Sequence, residues 1–228
     1  MRGLSTLLYS AFVARPKTPL ITRAEVVPIA LRIIDEEGLT ALSLRRLATE
    51  LNVNNKSLYH HFADKNDIVT SAAELALSGI GVPSDDGEDW AQWLLRSAHI
   101  YRDSLLAHPE LITVMLARGR FGFGLAWFDQ ILGNLERLGV PVSATIALIE
   151  ALDSFAIGNA LCKTAAATGA PKASEVESAY PNLARGLANR TLRYDEQFRL
   201  GCWHLIEGIS LAFGLDPVGL TPTSLGRR

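Results

Sequence analysis

Apolar residues recur at three- and four-residue spacing along most of the chain and alternating strand patterns are nearly absent, so the sequence predicts an all-α protein. The sharpest local pattern lies at 43–65. Ser43 is a good N-cap, and Leu44, Leu47, Ala48 and Leu51 follow at the spacing of one buried helix face, which predicts a helix from Leu44 to Leu51. Asn52 suits the left-handed turn that closes a helix, Val53 packs at the corner, and Asn54 caps a second helix. In that second helix Leu58 and Phe62, four apart, face inward, leaving Asn55, Lys56, Ser57, Tyr59, His60 and His61 on the outer sides. Two helices joined by about three residues have the layout of a helix-turn-helix, with a plain helical hairpin as the alternative.

The flanks extend the pattern. Upstream, Thr22 caps a helix whose Ala24, Val27, Ala30, Leu31 and Ile34 form an apolar stripe closing at Gly38; downstream, Asp64 caps a fourth helix beginning at Lys65. Residues 79–87 are rich in helix breakers. A long helix from Trp90 to Ala107 follows, with Trp90, Leu94, Ala98, Tyr101 and Leu105 on one face and His108-Pro109 at its end. Further helices are expected from Leu111 to Ala117, Leu125 to Leu138, Val142 to Ala167 and Tyr194 to Phe213. Arg118 to Gly124 reads as a hinge or loop and Thr168 to Pro181 as a surface loop. Arg2 followed by Leu4 to Ala14 imitates a signal peptide, but cleavage would leave Phe12 or Tyr9 where a small residue is needed. The expected division is a flexible N-terminal arm at 1–19, closed by Pro16 and Pro19, a helix-turn-helix domain at 20–68, and a larger helical domain at 69–228.

Composition narrows the classes. With 228 residues, 48% of them hydrophobic, the chain can bury a sizeable core. A net charge of −2 argues neither for nor against nucleic acid, although residues 1–70 hold 9 Lys/Arg against 7 Asp/Glu and the remainder 13 against 17. Cys162 and Cys202 fall on separate apolar helices, which suits a reduced cytoplasmic protein without disulfides. No apolar run approaches the roughly 18 to 20 residues of a membrane span, so no membrane association is expected. Enzyme signatures fail on inspection. Lys163-Thr164 lacks the preceding glycine and strand of a phosphate loop, and Gly119, Gly122 and Gly124 have the wrong order of spacings for a dinucleotide site. No Gly-x-Ser-x-Gly elbow or His-Glu-x-x-His pair occurs, and the five histidines show no metal-ligand spacing. The expectation is therefore no catalytic residue, no cofactor and no metal.

Ala30, Gly38, Leu39, Leu44, Leu47, Ala48, Leu51, Val53, Ser57, Leu58, Tyr59, Phe62 and Lys65 together resemble the DNA-binding domain of the TetR family of bacterial transcription regulators. The second half is similar to the regulatory domain of the tetracycline repressor's own subgroup. Trp90, Arg102, His108, the segment Leu152 to Gly158 and residues Phe198 to Gly208 carry that similarity. The resemblance implies an N-terminal three-helix DNA-binding domain and a C-terminal helical domain for ligand binding and dimerisation. It makes Arg45, Asn54, Asn55, Lys56, Ser57, Tyr59, His60, His61 and Lys65 the candidates to meet a double-stranded DNA operator.

In that subgroup the drug is bound as a magnesium chelate through a histidine and a glutamate, positions that fall here on Met115 and Cys162, neither a ligand for hard magnesium. What remains is an apolar and aromatic cavity. Its candidate lining is Trp93, Ser97, Tyr101, Met115, Phe121, Phe123, Trp127, Phe128, Phe155 and Asn159, with His99 as a further polar contact; each reads equally as bundle core. Small residues on helix 142–167 (Ala144, Ala147, Ala151, Ala156, Gly158, Ala160) and Gly201 and Gly208 on the last helix fit either intrachain packing or the four-helix homodimer interface that the resemblance implies. The function expected is that of a homodimeric repressor released from a palindromic operator by a small apolar or aromatic effector. The alternative is a helical protein-binding module without sequence-specific DNA binding.

Overall fold

The structure, a computed structural model, describes residues 21–84, 86–117, 124–167, 169 and 172–216. The arm expected at 1–19, most of the 118–124 segment and the candidates Phe121 and Phe123 lie outside them.

The N-terminal part is built from four helices whose ends are set by side-chain caps. Helix α1 (Arg23–Glu37) opens on a capping box, in which Thr22 accepts from the Glu25 N–H while Glu25 reaches back to the Thr22 N–H. Its buried residues are Val26, Val27, Ala30, Ile33 and Ile34. The expected stripe was thus placed slightly wrong: Ala24 is exposed and Leu31 half-buried, because Val26 and Ile33 offer more apolar area on neighbouring helical positions. Helix α2 (Leu44–Glu50) is capped by Ser43, whose hydroxyl accepts from the Arg46 N–H at 3.1 Å. Asn52, with φ of 51°, is the left-handed residue that ends it. The N–H of Asn52 bonds to the Thr49 carbonyl and that of Val53 to the Ala48 carbonyl, the paired closure of a Schellman motif. Asn54 then caps α3 (Asn55–Tyr59), and Asp64 caps α4 (Lys65–Ser78). Helix α3 is shorter than the sequence suggested. Phe62 lies beyond its end, yet remains buried with Leu58 in the core.

Helix α5 (Trp90–Ala107), capped by Asp89, leads through a 3-10 turn at Pro109–Leu111 into α6 (Ile112–Ala117). Helices α7 (Leu125–Arg137), α8 (Val142–Ala167) and α11 (Tyr194–Ala212) complete the larger bundle, with α8 packed against α5, α7 and α11. The stretch expected as a plain loop after Ala167 instead contains α9 (Ala173–Val176), and α10 (Pro181–Ala188) follows it. Only Ala184 of α10 is buried, although Leu183, Ala184 and Leu187 fall on one helical face, and α9 has only four residues, too few to show a period. The two halves meet where α4 packs on α6 and α1 on the 3-10 turn.

Helix α8 overturns one expectation. Over Val142–Ala166 it is long and apolar enough, by length and composition, to cross a membrane, with a mean hydropathy of 1.4, although only 39% of that window is buried within the chain. Glu150, Asp153 and Lys163 interrupt the run without lowering its mean far enough. One side forms the bundle core through Ala144, Leu148, Leu152, Ala156 and Ala160, while Val142 and Ile146 point outward.

Candidate DNA-reading surface and effector cavity

The turn between α2 and α3 places the exposed side chains of Arg45, Asn55, Lys56, Tyr59 and His60 on the outside of the N-terminal domain, with Ser57 and His61 half-buried beside them. Arg45 and Arg46 are handled differently. Arg46 pairs with Glu50 and with Glu37 at 2.9 Å, and Arg32 bonds to Glu50 as well, so this cluster ties α2 to α1. Arg45 has no ion pair among the described residues and is exposed. Asn54 is committed to capping, its side-chain oxygen accepting from the Lys56 N–H at 2.9 Å. Lys65, expected to face phosphate, sends its ammonium 3.1 Å to the Leu39 carbonyl, which pins the α1–α2 connection to the start of α4. That bond occupies one of its three donors.

Sequence reasoning missed Arg23. It bridges the start of α1 to the turn after α3 and to Asp67 on α4. Its only signal in the sequence is a basic residue beside the Thr22 cap, which says nothing about a partner 44 positions away.

The expected cavity residues divide. Ser97, Tyr101, Trp127 and Phe128 do line one cavity between α5, α7 and α8, together with Leu94, Ile131, Ile149, Leu152 and Asp153. Its free volume is about 20 Å³, room for a single water. Tyr101 and Trp127 stack at 5.2 Å and Phe128 meets both rings edge-on. The Tyr101 hydroxyl is driven well above the ordinary phenol range, first by burial and then by Asp153, to which it donates a hydrogen bond. Trp127 also holds a buried indole N–H with no acceptor among the described residues.

Other candidates belong elsewhere. Trp93 is core, fully buried with its indole N–H donated to the Pro83 carbonyl at 3.1 Å. Met115 is buried but does not border that cavity. Phe155 and Asn159 line a separate, more open cavity of about 290 Å³ between α8 and α11, beside Cys162, Tyr194 and Gln197. There the Asn159 side-chain oxygen is buried without a partner among the described residues. His99 packs edge-on against Phe198 at 5.0 Å, and burial followed by the neighbouring Arg102 charge lowers its basicity, which favours the neutral ring. Arg102 is itself buried, lying 4.4 Å over Phe198 and paired with Asp103 and Asp195.

Neither position expected for a magnesium chelate carries a hard oxygen or nitrogen donor. Met115 offers a thioether, Cys162 sits in the other cavity, and no group of three His, Cys, Asp or Glu comes together among the described residues.

A capped three-helix unit holding a short exposed helix behind a Schellman corner defines a helix-turn-helix DNA-binding protein. Residues 29–72 match the family described as bacterial regulatory proteins, tetR family, and residues 82–212 match the tetracyclin repressor-like C-terminal domain. The chain belongs to the TetR family and is a transcriptional regulator. Relatives include an HTH-type transcriptional regulator of Saccharopolyspora erythraea, 25% identical over 87% of this chain and 88% of the relative. The tetracycline repressor protein class E of Escherichia coli is 27% identical over 90% and 97% respectively. Among solved structures, the Streptomyces coelicolor TetR family protein ActR in complex with actinorhodin superposes with a TM-score of 0.70 at 26% identity, covering 85% of this chain and 99% of that one.

Proposed function

We propose that the protein is a homodimeric, cytoplasmic transcriptional repressor that leaves a palindromic operator when a small aromatic effector enters the cavity between α5, α7 and α8. The observation that carries the reading is the pairing of an exposed recognition helix with a bundle whose outer apolar face is left uncovered. Val142, Ile146, Leu211 and Phe213 are all exposed on α8 and the end of α11, where a second copy would bury them. Two such chains would place their α3 helices in successive major grooves, about 34 to 36 Å apart on one face of DNA.

The cavity supports the effector side of the reading. Its walls are mostly apolar and include three aromatic rings, and the Trp127 N–H, without an acceptor among the described residues, and the Tyr101–Asp153 pair are polar groups that a ring bearing oxygen atoms could use. Because the cavity has room for only about one water, an effector would bind a state with a wider cavity and shift the population towards it. A route to the DNA-binding part exists in the His108 imidazole, whose Nδ1 lies 3.0 Å from both Asp35 carboxylate oxygens on α1. Nearby, Glu110 accepts from the Leu39 N–H at 3.4 Å. We place the working boundary between reading and sensing parts in α4, which contacts both.

Gel shifts with the DNA upstream of its own gene, combined with sedimentation of the free protein, test the proposal. A dimer that retards this DNA specifically supports it. A monomer with no preference over unrelated duplex would favour a protein-binding module instead.

A further inference from the structure

Helix α3 has five residues, too few to hold a helical conformation by its own hydrogen bonds. Leu58 and Phe62 seat it on the core, but apolar contacts are non-directional and do not fix how the helix is rotated. Directional bonds come from Arg23. Its Nη1 donates to the His61 carbonyl just past α3 and reaches Asp67 Oδ2 at 3.2 Å. Its Nη2 donates to Asp67 Oδ1 and to Ser71 Oγ, both at 2.7 Å. The guanidinium carbon stands 4.3 Å from the centre of the Phe62 ring. Asp67 Oδ2 also accepts the Ala63 N–H at 3.0 Å, so the turn after α3 is held at a carbonyl, at a ring face and, through Asp67, at an N–H.

Although Arg23 is 46% exposed, its two terminal nitrogens already serve four acceptors. We infer that Arg23 is a positioning residue for DNA recognition: through the His61 carbonyl, Phe62 and Asp67 it sets the pose of α3 without itself contacting DNA. This rests on the reading of α3 as the recognition helix. Lysine cannot replace it, because one compact ammonium lacks both the planar fork and the flat face that the site uses.

The test measures wild type, Arg23→Gln, Arg23→Lys, Asp67→Asn and the Arg23→Gln/Asp67→Asn double variant on two duplexes over a range of salt. One duplex is the site that wild type enriches from random DNA; the other is unrelated. Losing charge-assisted bonds that orient the helix should weaken binding to the enriched site roughly ten- to hundredfold. Binding to the unrelated duplex and the salt slope should stay as in wild type, Lys should recover only part of the loss, and the double variant should lose no more than the worse single one.

A salt slope reduced by about one on both duplexes would make Arg23 a phosphate contact and overturn the inference. Unchanged affinity for the enriched site would also overturn it. If Arg23→Gln proves unfolded by circular dichroism, Arg23→Lys and Asp67→Asn carry the same comparison. A wild type that enriches no site would refute the DNA reading itself, a failure visible before any variant is made.

Discussion

Arg45 and Arg46 are chain neighbours with opposite roles because successive side chains on a helix point about 100° apart. Arg46 turns back into the Glu37–Glu50–Arg32 cluster, whereas Arg45 faces out beside the recognition helix. Replacing Arg45 by Ala should therefore cost about 1 to 3 kcal/mol at one base pair of each half-site and relax the preference there. Selecting sites from random DNA with wild type and variant would show it, and identical consensus sequences would remove Arg45 from base readout. The two thiols are a second contrast. Cys202 is buried and its thiol is pushed up to about 12, chiefly by burial. Iodoacetamide at pH 8 should leave Cys202 unmodified in the native protein and alkylate it after denaturation. Mass spectrometry finding it alkylated in the folded state would contradict this burial. Caps and exposed polar groups were readable at this scale because their chemistry is local. Arg23 and the attachment of Lys65 to Leu39 were not, since both depend on which distant residues the fold brings near.

The longer helices emerged within a residue or so of their predicted ends. The corner between α2 and α3 was legible from three letters, Asn52-Val53-Asn54, because left-handed turn, apolar contact and cap each favour those residue types. Helix α9 was not, since four residues are too few to show a period, and α10 was overlooked although Leu183, Ala184 and Leu187 fall on one helical face. Close packing between α8 and α11 escaped for another reason. Gly201 was a candidate for an interchain contact, yet a Cβ there would lie 2.3 Å from the Phe155 ring of the same chain. That ring is stacked on Phe198 at 5.4 Å, so moving it aside would break the stack. Gly201→Ala should gain about 1 kcal/mol from helix propensity and lose more to overpacking, for a net destabilisation of about 1 to 2 kcal/mol. Urea unfolding measures this, and a stabilised variant would mean that α8 and α11 are less tightly apposed than described.

At the scale of the molecule, α8 is apolar nearly all round, and a helix of that kind needs cover on every side. The bundle covers one side. Gly208, on α11, is exposed, and a Cβ there would meet nothing within 4 Å, so Gly208→Arg should leave the single chain intact and act only on what packs against it. The variant should sediment as a folded monomer and lose most of its operator affinity; an undisturbed dimer would move the interface off this face. The aromatic cavity was only half legible. Four of its lining residues were named from the sequence, but Asp153 was not, and Phe155 and Asn159 went to a different cavity, because the sequence does not say on which side of α8 each residue falls.

The central claim is that two copies of α3 read DNA together. The most direct test is enrichment of binding sites from random duplex DNA by the full-length wild-type protein, followed by sequencing. The account predicts a two-fold symmetric consensus whose half-sites lie about one helical turn apart, centre to centre, or a multiple of it. Enrichment of an asymmetric single site, or no enrichment over unselected DNA, would contradict it.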